Sequence, residues 1–94
     1  MGNIEVVRIN AKGDAHKTVS LSILAGDQVI WVSEGKEAIT VYFPSGCPFS
    51  QDSFPIDAQG ARISGPPVGE PRRYTYKVRV GAASADDGDV VINP

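Results

Sequence analysis

The apolar residues of this chain recur at every second position, in short runs, and nowhere at helical spacing. In residues 17–24, Val19, Leu21 and Ile23 fall on one side and Thr18, Ser20 and Ser22 on the other. Residues 72–80 repeat the pattern, with Tyr74, Tyr76, Val78 and Val80 opposite Arg73, Thr75, Lys77 and Arg79. Side chains alternate across a strand but recur every three to four residues on a helix, so this spacing selects half-buried strands. Shorter runs of the same kind occupy 4–9, 28–33, 38–43 and 90–92. Turn signals separate several of them, including Ala25-Gly26-Asp27 and Glu34-Gly35-Lys36. Strands spaced by turns, with no amphipathic helix, predict an all-β, antiparallel two-sheet sandwich. At 94 residues the chain has room for a single domain, spanning 1–94.

One long stretch breaks the pattern. Residues 44–71 hold six of the seven prolines and four of the ten glycines. Proline lacks a backbone donor and belongs at sheet edges and in loops. A structureless loop of this length is uncommon in a compact domain. A short helical turn is therefore expected near 50–57 and a short strand near 61–64. Phe49, Phe54 and Ile56 supply apolar anchors.

Composition narrows the function classes. Nine basic against eleven acidic residues give a net charge of -2, and a nucleic-acid binder shows a basic excess instead. The longest apolar run, Val29-Ile30-Trp31-Val32, falls far short of the roughly 20 residues that cross a membrane. No basic segment followed by an apolar stretch opens the chain, so a cytoplasmic protein is expected, although a trimmed secreted form would look the same. A single Cys excludes an internal disulfide and a zinc site built from several cysteines. No Ser-His-Asp spacing, glycine-rich phosphate loop or paired carboxylates suggest an enzyme.

Gly26-Asp27-Gln28-Val29-Ile30-Trp31-Val32-Ser33 resembles the G-D-x-V-x-W-x-N strand of cupredoxins, the blue-copper β-sandwich proteins. Ile39-Thr40-Val41-Tyr42-Phe43 stands where that family reads H-x-V-x-F. Tyr74-Thr75-Tyr76-Lys77-Val78 and Gly88-Asp89-Val90-Val91-Ile92 fall where it reads Y-x-Y-x-C and G-x-V-V-V. The resemblance runs from about Leu21 to Ile92 and implies a Greek-key, cupredoxin-like sandwich closed by Trp31, Tyr74 and Tyr76. Copper in such proteins is held by two His, a Cys and a weak axial ligand. Ile39 fills the first His position and Val78 the Cys position, and the second His would fall near Gly81. None of these side chains can donate to copper. The resemblance thus implies the scaffold without its cofactor, and no cofactor is expected.

Other candidate residues remain. Cys47 lies in Ser45-Gly46-Cys47-Pro48, either as a reactive loop thiol or packed as a small hydrophobe. His16 and the acidic residues Asp86, Asp87 and Asp89 are the remaining candidate cation ligands, although the acidic stretch lacks the ligand series of a calcium loop. It reads as a solvated turn before the last strand. Arg73, Lys77 and Arg79 share one strand face beside Arg72, which suits an acidic partner or simply keeps that face soluble. Ile30 and Val32 make their strand apolar on both faces, so the long excursion or another chain must cover them.

Together these features predict a non-catalytic, copper-free module that acts through protein contacts, with a protein partner or a second copy. Its expected contact surface is Ile30, Val32, Phe49, Phe54, Arg73, Lys77 and Arg79. The alternative is electron transfer at a metal site outside the family positions.

Overall fold

The computed structural model describes residues 2–10, 12, 18–81 and 83–94, with 83–87 described in the backbone alone. The strands are β1 (Ile4–Ile9), β2 (Thr18–Ser22), β3 (Gln28–Ser33), β4 (Ile39–Tyr42), β5 (Ser53–Ile56), β6 (Ala61–Ile63), β7 (Arg73–Val80) and β8 (Ala83–Asn93). They form a three-stranded sheet, β1-β3-β6, and a five-stranded sheet, β2-β8-β7-β4-β5. The alternation sets what lies between them. Val7 and Ile9, Val29 and Trp31, Val41, Phe54 and Ile56, Tyr74, Tyr76 and Val78, and Val90 and Ile92 all point inward and are buried. The predicted all-β, two-sheet sandwich is the fold observed.

The Trp31 ring is the hub of the core. Its centroid lies 4.6 Å from that of Phe54, 5.9 Å from Phe49, 6.2 Å from Phe43 and 6.4 Å from Tyr76. Most of these pairs meet edge to face, the geometry the ring quadrupole favours.

Four expectations are corrected. The pairing is not purely antiparallel, because β1 runs parallel to β3 and β2 parallel to β8. Both pairs join strands that are not consecutive in the chain, which a hairpin-by-hairpin expectation misses. The stretch near 50–57 contains a strand, β5, and not a helical turn. Its period-two pattern buries Phe54 and Ile56 while Ser53 and Pro55 face out. Pro55 is tolerated because β5 is the last strand of its sheet, where a missing N–H breaks no ladder.

The closing strand is also much longer than 90–92. β7 and β8 form an extended hairpin, with Val80 opposite Ala83 and Arg73 opposite Val91, and an irregularity between Lys77 and Arg79. Residues 86–89 therefore lie within a strand and not in a turn. Finally, Phe49 and Phe54 cannot form a contact surface, since they are 4% and 0% exposed and pack on Trp31. Aromatic rings carried by the excursion are drawn into the core around Trp31.

Candidate functional site

Three regions could carry function, and each follows from where the strands place its side chains. The first is the end of the sandwich where cupredoxins hold copper. Ile39 opens β4 and lies opposite Val80 of β7 and Ile56 of β5, while Val78 lies opposite Val41. Ile39 and Val78 are buried among apolar neighbours. Gly81 follows β7 with φ of 60°, shaping the hairpin turn. Two hydrocarbon side chains and a glycine offer no lone pair, so these residues do not fit copper.

Cys47 does not repair the deficit. It follows the C-terminal end of β4, whereas Ile39 stands at the N-terminal end, so the thiol belongs to the opposite end of the sandwich. Its Sγ donates to the Gln51 carbonyl at 2.9 Å and accepts from the Phe49 N–H at 3.4 Å. Burial, and to a lesser degree the nearby Asp52 charge, push the thiol up from its ordinary value against the Phe49 hydrogen bond. That disfavours the thiolate on which reactivity depends. Cys47 packs against the core instead. His16 lies outside the described residues, as do the side chains of Asp86 and Asp87. Among the described residues no three His, Cys, Asp or Glu side chains gather to hold a metal ion.

The second region is the outward face of β7. Arg73 Nη1 lies 2.8 Å from Asp89 Oδ2, and Thr75 Oγ1 donates to Asp89 Oδ1 at 3.0 Å. Both carboxylate oxygens of Asp89 are thus engaged by its own sheet. Arg79 stacks over the Tyr42 ring at 4.8 Å, and Arg72 stacks over Tyr74 at 4.2 Å. Lys77 stands opposite Asp87 in the β7–β8 register. This face therefore mixes both signs: Arg73 pairs with Asp89 across the sheet and Arg79 stacks on Tyr42.

The third region is the outer face of the three-stranded sheet. Val6 of β1, Ile30 of β3 and Ile63 of β6 align across it. Ile4 extends the row on one side, and Val32 with Ala61 on the other. Ile30, Val32 and Val6 are half-buried, while Ile4 is 55% and Ile63 48% exposed. Either the excursion or another chain was expected to cover Ile30 and Val32. The excursion contributes β6 to the edge of their sheet and so enlarges the apolar face. Ile63 was absent from the sequence-derived surface because only the antiparallel pairing of β6 with β3 brings it beside Ile30. Arg8 and Glu34, 3.8 Å apart, form the charged rim at one end.

A two-sheet sandwich with buried Trp31 at its centre and hydrocarbon at the copper end is a cupredoxin fold without the family's metal donors. Comparison with solved structures gives the same fold. The chain is similar to amicyanin: the oxidized state of a proline-to-alanine mutant matches with TM-score 0.65 and 21% identity, over 97% of this chain and 83% of that one. A Cu(I) form of a methionine-to-glutamine mutant matches with TM-score 0.63 and 20% identity over the same shares. A reduced Cu(I) form of a proline-to-glycine mutant at pH 4 matches with TM-score 0.64 and 21% identity, over 95% and 81%. No family model matches the chain, and no curated protein matches it in sequence.

Proposed function

We propose that this chain is a non-catalytic, copper-free contact module that docks a protein surface, either a partner protein or a second copy of itself. The observation that carries this is the continuous apolar outer face formed by Ile4, Val6, Ile30, Val32 and Ile63, flanked by the Arg8–Glu34 pair. A β-sandwich needs one apolar face per sheet, and this sheet has two. Large exposed apolar patches on small domains mark contact surfaces. The family's redox chemistry has no support at the copper end, where Ile39, Val78 and Gly81 stand. Arg73, Lys77 and Arg79 lie on the other sheet, whose mixed charge suits solubility better than capture of an acidic partner.

The test is Ile30→Lys together with Ile63→Glu, two outward positions whose replacement spares the core. Sedimentation and chemical crosslinking are expected to show association by the native chain, alone or with a captured protein, and its loss in both variants. A native chain that stays strictly monomeric and captures nothing overturns the proposal.

A further inference from the structure

Asp27 is the one buried carboxylate among the described side chains. It stands at a corner where strands of both sheets meet. Its Oδ1 accepts the Asn3 N–H at 2.8 Å, just before β1 begins, and its Oδ2 accepts the Ser22 N–H at 2.9 Å, at the end of β2. The Asp27 N–H donates to the Ser22 carbonyl at 3.2 Å, and the Gln28 N–H to the Asn3 carbonyl at 2.9 Å. β1 belongs to the three-stranded sheet and β2 to the five-stranded one. One ionised side chain therefore ties the two sheets together through charge-assisted hydrogen bonds.

We propose that Asp27 is a conformational clip: while ionised it holds the start of β1 against the β2–β3 corner, and when neutralised it lets that corner open while the sandwich stays folded. What remains of β1 is anchored separately. Val7 and Ile9 are fully buried, and the Glu34 N–H donates to the Ile9 carbonyl at 2.8 Å. Ile4 is largely exposed and offers little to hold the other end. The opening is thus confined to residues 3–6, beside the apolar face of Ile30. Local openings of this kind occur below the free energy of global unfolding.

The groups packed around the carboxylate leave it in control. Asn3 before β1, Ser22 on β2 and Gln28 on β3 are neutral, so hydrogen bonds and not a neighbouring side-chain charge set its state among the described residues. The Asn3 hydrogen bond first, then that from Ser22, hold the Asp27 carboxyl below the usual carboxylate range. Burial opposes them. Folding favours the ionised form, so the clip is complete above the ordinary aspartate pKa and is lost as pH falls through the lower folded value. The window lies below about pH 4.

Residue-resolved amide hydrogen exchange on the full chain tests this, with Asp27→Asn at about pH 7 and the native protein at about pH 7 and, in steps, at lower pH from about 4 downward. In the variant the Asn3, Ser22 and Gln28 amides are expected to lose protection by about tenfold or more, the size of one lost charged hydrogen bond. The amides of the central strand β7 are expected to keep theirs. The native protein at the lower pH is expected to show the same pattern. Unchanged corner protection in the variant overturns the proposal, as does exchange of corner and β7 together in one transition. If the variant does not fold, the native pH series decides alone, because only a local clip separates the corner from β7.

Discussion

Gly69 shows how one missing methyl can matter more than a charge. A Cβ at this position would stand 2.6 Å from the Tyr74 hydroxyl, 3.0 Å from the Pro48 Cα and 3.2 Å from the Tyr74 Cζ. The contact is tight because the Tyr74 hydroxyl donates to the Glu70 carbonyl at 2.8 Å, while the Gly69 and Val68 N–H groups both reach the Pro48 carbonyl. These bonds fold the end of the excursion back onto its beginning. Gly69→Ala is expected to cost about 1–3 kcal/mol, as overpacking does, read by urea unfolding. Native stability in that variant would show that the tyrosine contact is not fixed. Nothing in the sequence marks Gly69 among ten glycines. Its role comes from Pro48, distant in the chain, and from Tyr74, which β7 holds in the core. Asp27 differs, since it already falls in a turn signal and in the G-D-x-V-x-W pattern, although its two backbone partners, Asn3 before β1 and Ser22 in β2, are far apart in the chain.

The β7–β8 hairpin is the element that most changes the molecule relative to the copper-bearing family it resembles. Where that pattern places a metal-binding loop, this chain continues both strands to the pairing of Val80 with Ala83. Gly81 makes the tight turn possible through its φ of 60°, a conformation that bulky L-residues avoid and Asn tolerates. Gly81→Val is expected to cost about 1–2 kcal/mol and to lower the thermal midpoint, whereas Gly81→Asn leaves it nearly unchanged. Equal midpoints for the two variants would show that the turn does not depend on positive φ. β7 was legible in full because its alternation is strong over eight residues. β8 was not, because Ala83-Ser84-Ala85-Asp86-Asp87-Gly88 has weak strand propensity and pairs only because β7 lies beside it.

At the scale of the whole molecule, stability rests on one aromatic cluster that joins the sheets. Trp31→Ala is expected to cost about 3–5 kcal/mol, the range for truncating large aromatic core residues. Chemical denaturation measures it, and a native-like midpoint would remove Trp31 from the centre of the core. Among the described residues the buried indole Nε1 has no hydrogen-bond partner, nor has the Ser33 hydroxyl, so shape and ring contacts hold the tryptophan in place. The sequence by itself determined the all-β class, most strands, the inward set led by Trp31, Tyr74 and Tyr76, and the hydrocarbon at the copper end. These follow from local alternation and residue chemistry, which need no knowledge of distant neighbours. Only the tertiary structure decided that β1 and β2 pair in parallel, that Phe49 and Phe54 turn inward, and that β6 sets Ile63 beside Ile30. Each depends on residues far apart in the chain, and a period-two pattern says which way a side chain points without saying which strand lies next to it.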